Sequence, residues 1–246
     1  MRIGTIAAAL VLLVGTAFAD PITLPTGLAP GAQYRLVFVT STGVATPKAT
    51  IDFYNTFVTN VALARPELAA LGTTWRVIAS RKAIGATPAI DARDNTDTNP
   101  FVDGVGVPIY TLGDTKVADN NADLWDGTID SGISFNERGD VVVPRPLPNL
   151  TDQVWTGTRV NGTRDAFPFG GGPANRFVRF GRAGATDGLW VTWSVSQQIP
   201  HNLTRTLYAM SGVLTVPGVV PEPSTLVLSS LALAGAFVWR RRRRRA

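Results

Sequence analysis

Apolar residues gather in two unbroken stretches at the ends of the chain, and between them they alternate with polar residues in short segments. Residues 3–18 are almost all apolar or small, with Arg2 ahead of them and the small-x-small pattern Ala17-Phe18-Ala19 at their close. Asp20-Pro21 follows, and proline cannot continue a helix. A charged start, a short apolar run and small residues at alternate positions predict a secretory signal peptide over 1–19. Signal peptidase, whose pocket admits only small side chains there, would cut it after Ala19. At the other end, residues 224–239 form an apolar stretch of 16 positions, slightly shorter than a comfortable membrane span of about 20. It predicts a C-terminal transmembrane helix with Trp239 at the interface. The arginines Arg240, Arg241, Arg242, Arg243, Arg244 and Arg245 then snorkel to the headgroups and act as a membrane stop-transfer element on the cytoplasmic side.

The body between these ends has a different rhythm. Residues 33–40 alternate, with Tyr34, Leu36 and Phe38 on one face and Val37 and Val39 on the other, which predicts a buried strand. Residues 51–65 place Tyr54, Phe57, Val58, Val61 and Ala62 at helical spacing before Pro66, which predicts one amphipathic helix. Residues 73–79 predict a second strand, with Trp75, Val77 and Ala79 in register. A middle rich in Asp, Asn, Gly and Pro runs from 91 to 148, with strand-like pieces at 107–112 and 140–143. Segments 189–195 and 205–216 are expected to close the domain as antiparallel strands. The predicted class is α+β: few helices, short antiparallel strands and long loops.

Composition narrows the chemistry. The chain has 246 residues and no cysteine, which excludes thiol catalysis, zinc–cysteine sites and iron–sulfur clusters. Of 23 basic residues, Arg2 and Arg240 to Arg245 belong to the terminal segments. The 16 that remain face 17 acidic residues, so the body is close to neutral and offers no nucleic-acid footprint. His201 is the only histidine, there is no Gly-x-Ser-x-Gly elbow, and Glu67 and Glu137 are the only body glutamates, so no catalytic residue is assigned. The glycines at 170–172 lack the lysine of a phosphate-binding loop.

One loop remains suggestive. Asp119, Asn121, Asp123 and Asp130 present oxygen ligands that could surround calcium, a hard cation that prefers carboxylate and amide oxygen. Leu124 stands where an EF-hand needs glycine, and only Lys116 lies close by as a counter-charge. A second oxygen-rich stretch carries Asp91, Asp94, Asn95, Asp97 and Asn99. The same residue types also cap turns in long loops. Calcium is therefore a possible cofactor, and no other is expected.

Two resemblances extend this picture. Val220-Pro221-Glu222-Pro223-Ser224-Thr225, followed by the apolar stretch and the arginines, resembles the PEP-CTERM sorting tail of Gram-negative bacteria, here over 218–246. The resemblance implies that Pro221, Glu222 and Pro223 are the sorting motif read by exosortase, a membrane-embedded protease or transpeptidase usually found beside exopolysaccharide genes. It implies an exported protein that passes through an inner-membrane intermediate before reaching the cell surface or the extracellular space. The order of elements in the body, ending Leu207-Tyr208-Ala209-Met210-Ser211-Gly212, resembles the C-type-lectin-like fold in its cysteine-free, endostatin-like branch. Val154-Trp155-Thr156-Gly157 stands where that fold carries a core Trp-x-Gly. The Glu-Pro-Asn loop and Trp-Asn-Asp strand of sugar-binding lectins are missing. The expectation is a non-enzymatic surface or biofilm-matrix protein with an extracellular lectin-like domain over 20–217 that associates with exopolysaccharide. The alternatives are a hydrolase acting on matrix polysaccharide and a purely structural matrix protein.

Overall fold

The computed structural model describes residues 21–46, 50–142, 152–170, 177–193 and 199–218. The expected signal helix at 1–19, the sorting motif and the expected transmembrane helix lie outside the described residues. No helix among the described residues is long and apolar enough to cross a membrane. The chain divides into two compact units, one of Met1–Gly27 with Gln33–Leu214 and one of Leu28–Ala32 with Thr215–Ala246.

The larger unit opens as the pattern predicts. β1 (Gln33–Val39) is buried from Tyr34 onward because both of its faces are covered. α1 (Ile51–Leu63) starts at Thr50, whose hydroxyl accepts the Phe53 amide, and buries Tyr54, Val58 and Ala62 at intervals of four. α2 (Pro66–Ala69) follows, with proline at a position where the missing N–H costs nothing. β2 (Trp75–Val77) then runs along α1. Asn55 ties helix to strand by accepting the Val77 amide at 2.9 Å, while Thr59 donates to the Trp75 carbonyl at 3.0 Å.

Short elements follow: α3 (Ala92–Asn95), β3 (Ile109–Thr111), β4 (Lys116–Ala118), α4 (Asn121–Leu124), β5 (Gln153–Trp155), β6 (Phe177–Val178), β7 (Phe180–Arg182), β8 (Ile199–Pro200) and β9 (Thr206–Ser211). The main sheet has the order β4-β3-β1-β9-β5-β7, and β2 also pairs with β9. β1 takes Val39 against Tyr208 and Val37 against Met210 on one edge of β9. On the opposite edge β5 occupies Thr206 and Leu207, and β2 occupies Ala209 to Ser211. β6 and β8 form a separate antiparallel pair.

Alternation along the central strands sends side chains into two cores. Phe38 meets Trp75 edge-on with ring centroids 5.1 Å apart, on the side of α1. Val37, Val39, Val154, Tyr208 and Met210 turn the other way, into a cluster with Leu124, Trp125, Ile129 and Trp190. The loop-rich middle thus serves as the cover of the sheet's second face. Gly157 closes the β5 segment at φ +63, and a Cβ there would lie 2.7 Å from the Ser80 carbonyl. Only glycine fits both constraints, which explains the Trp-x-Gly spacing physically.

Three expectations are corrected. The sheet is mixed, since β5 runs parallel to β9 and β1 parallel to β3. The long crossovers between those strands permit what a tight hairpin would not. The strand expected over 189–195 begins instead with a 3₁₀ turn at Gly188–Trp190, because Asp187 accepts the Leu189 amide at 3.2 Å and nucleates the turn that drops Trp190 into the core. Within 140–142 only Val141 is bridged, to Phe135.

The smaller unit is described at 28–32 and 215–218. There the Gly31 amide donates to the Val216 carbonyl at 3.0 Å, and the Val216 amide donates to the Ala32 carbonyl at 2.8 Å.

Candidate functional site

β1 ends, and β5 and β9 begin, at the same end of the sheet, since β1 is antiparallel and β5 parallel to β9. Strand ends at one sheet edge leave a crevice, and here it holds a cavity of about 370 Å³. Its walls come from Thr40, Ser41 and Gly43 after β1, Asn136 and Val142 from the loop cover, Gln153 of β5, and residues 204–206. Gly43 is needed there: a Cβ would lie 2.6 Å from the Arg205 backbone, with which Val44 exchanges hydrogen bonds.

The polar groups of the cavity are held from behind. Glu137, only 4% exposed, accepts both the Ser41 amide at 2.8 Å and the Ser41 hydroxyl. Thr206 donates its hydroxyl to the Gln153 carbonyl at 3.1 Å. Arg205 donates Nε–H to Gln153 Oε1 at 2.8 Å and an Nη1–H to the Thr204 carbonyl at 2.9 Å. Burial pulls the Arg205 guanidinium below its ordinary pKa, and an arginine so shifted still carries its charge at neutral pH. Hydroxyl, amide and guanidinium groups around an open cleft can hold hydroxyl-rich or anionic ligands. Gly43→Val is expected to displace the Arg205 backbone and lower melting temperature, checked by thermal denaturation beside Gly27→Val, where a Cβ meets nothing within 4 Å. Gly27 sits at φ +78, a backbone strain that Gly43 does not carry, so a larger loss at Gly43 is due to the clash.

The proposed calcium ligands are placed differently. Lys116 stands between two of them, with Nζ paired to Asp119 and 3.2 Å from Asp130 Oδ2. Those two hydrogen bonds, Asp119 first, raise the lysine pKa. Asp123 Oδ2 accepts the Asp119 amide at 2.6 Å, and Asn121 is buried with Nδ2 donating to the Gly104 carbonyl at 3.0 Å. Asn120, which the oxygen pattern did not single out, caps α4 by accepting the Ala122 and Asp123 amides. Among the described residues no three acidic or histidine side chains are grouped to hold a metal ion. Lys116→Gln removes the internal cation, so about millimolar calcium is expected to raise the melting temperature of this variant and not that of the parent. A calcium-induced rise in the parent would show that the ion displaces Lys116.

The second oxygen-rich stretch is likewise engaged. Asp91 accepts the Arg164 amide at 3.0 Å, Asp94 accepts Asn99 Nδ2 at 2.6 Å, and Asp97 pairs with Arg76 at 2.8 Å. Asn95 joins α3 to β2 through the Val77 carbonyl at 2.7 Å. His201 accepts the Thr46 amide on its carbonyl at 2.9 Å, a backbone role. Sequence reasoning missed Gln153 and Arg205, because their proximity is created by a parallel pairing across 52 residues.

Pro221, Glu222 and Pro223, and the run from Arg240 to Arg245, lie outside the described residues. A comparison with curated proteins found no match for the chain. A family model described as the PEP-CTERM protein-sorting motif matches residues 219–244. The matched residues hold the three ordered features read above: the proline-framed glutamate, the apolar stretch and the arginines. The chain therefore carries a PEP-CTERM protein-sorting motif, the mark of an exported protein sorted by exosortase.

Proposed function

We propose that this is a non-enzymatic surface or matrix protein whose body binds extracellular polysaccharide in the cleft at the strand ends. In this reading residues 1–19 direct secretion and are removed by signal peptidase. The tail then holds an inner-membrane intermediate until exosortase acts at Pro221-Glu222-Pro223. The observation that carries the binding assignment is the cleft itself: on a chain destined for the outside, it is lined by serine, threonine, asparagine, glutamine and arginine groups. Sugars are recognised by such planar amides, hydroxyls and guanidinium groups.

A C-type-lectin-like fold is the finer assignment we favour. It is supported by the strand–helix–strand opening, by the closing strand at the centre of the sheet and by Trp155 with Gly157 at the expected positions. The non-enzymatic reading is supported by the commitment of Glu137 to Ser41. A glycan array probed with the full chain, with and without calcium, tests the function. Selective glycan binding without turnover is expected. A blank array would leave a structural matrix role, and shortening of the bound polymer would establish a hydrolase.

A further inference from the structure

We propose that the cleft is built for an acidic sugar unit, with Gln153 Nε2 and the Arg205 guanidinium receiving its carboxylate. This deepens the polysaccharide reading and rests on it.

The orientation of Gln153 is fixed by chemistry. A guanidinium N–H can only donate, so the group 2.8 Å from Arg205 Nε must be the amide oxygen. The NH₂ group then points elsewhere, and it has no hydrogen-bond partner among the described residues although Gln153 is only 1% exposed. A buried donor left unmet is costly, so its retention at the wall of a cavity calls for an acceptor that arrives from outside.

Charge gives the second, independent argument. Arg76, Arg138, Arg179 and Arg182 each have a carboxylate within ion-pair distance. Arg205 has none among the described residues, and none of the described residues that line the cavity is acidic. The carboxylates next to lining residues along the chain are engaged, Glu137 by Ser41, Asp140 by Asn136 Nδ2 at 3.3 Å and Asp152 by Arg182 at 2.8 Å. Among the described residues that line the cleft, Arg205 is the only charged one, and it stands beside an unmet neutral donor.

That pair suits a singly charged planar carboxylate, which takes one guanidinium and one amide N–H through its two oxygens. A phosphate dianion asks for more, typically a nest of main-chain amides, a helix N-terminus or a second cation. A volume of about 370 Å³ lies within the range of small-molecule sites and admits a sugar ring. Ser41 and Thr204 line the same cavity and offer hydroxyl oxygens to ring hydroxyls.

The test titrates the full chain in detergent with trisaccharides of galacturonate, glucuronate and mannuronate, with their methyl esters and with the matching neutral trimers. Inorganic phosphate serves as competitor. At least one uronate trimer is expected to bind, and its ester and neutral counterpart at least about tenfold more weakly, since a charge-assisted pair is lost. Binding should weaken as salt is raised. Arg205→Gln is expected to lower affinity for the acid by at least about tenfold and to remove most of the difference between acid and ester. The acid–ester comparison is made on the unaltered chain, so it decides the matter even where the variant misfolds. Equal binding of acid and ester, or displacement by phosphate at matching concentration, overturns the carboxylate assignment while polysaccharide binding stands. Absence of binding to every trimer also overturns it, and the glycan array then decides the broader reading separately.

Discussion

Replacing Trp155 by alanine is expected to destabilise the body by about 3–5 kcal/mol, the range for deleting a fully buried tryptophan. The indole has no exposure, packs edge-on to Phe180 at 6.3 Å and donates Nε1–H to the Leu203 carbonyl at 3.1 Å. The substitution opens a cavity and also releases the segment that leads into Arg205. Urea denaturation followed by circular dichroism measures the loss. Trp193 provides the internal comparison. It is half-buried, with the Arg182 guanidinium 4.3 Å above its ring, and its removal is expected to cost about 1 kcal/mol. Equal costs at the two positions would mean that Trp155 does not fill the core.

The largest functional effect is expected at the tail. Replacing Pro221, Glu222 and Pro223 together with alanine should leave an uncut, membrane-held precursor in the native host. Proline cannot donate to a helix or a sheet ladder, and a protease reads extended peptide. Mass spectrometry of the parent protein from the cell surface should find most or all of residues 224–246 missing. Recovery of the intact arginine run on the mature protein would refute processing at this motif.

The tail and the opening of the body were legible because their signals are local. Three ordered features within 26 residues suffice for the sorting motif. In β1 and α1 the spacing of apolar side chains states the element directly, since Tyr54, Phe57, Val58, Val61 and Ala62 recur at the three- and four-residue steps that only a helix brings to one face. Residues 188–190 misled because Leu189, Trp190 and Val191 have strand-forming side chains, whereas the Asp187 carboxylate is what decides the backbone. The acidic loop showed its carboxylates and Lys116 nearby but not that one lysine pairs with both ends of the loop, because Lys116 reaches Asp130 only once β4 has placed it there. The cleft was invisible for a stronger reason. Its walls come from four separated stretches, and neither Gln153 nor Arg205 is unusual in its own neighbourhood.

The position of β9 at the hub of the sheet has a consequence for the order of events during export. Three strands, β1, β2 and β5, depend on residues 206–211 for pairing, yet these residues are among the last of the body to emerge from a chain threaded outward from its N-terminus. Loop closure across such distances is slow and unrewarded until the final partner arrives. β1, β2 and β5 therefore cannot join into one sheet inside or at the mouth of the translocation pore. The sorting motif begins at residue 219, only eight residues beyond Ser211, so completion of the sheet and arrival of the tail at the membrane fall almost together. A topology that places its keystone last keeps the thread pliable for the whole passage and couples the end of folding to the start of sorting.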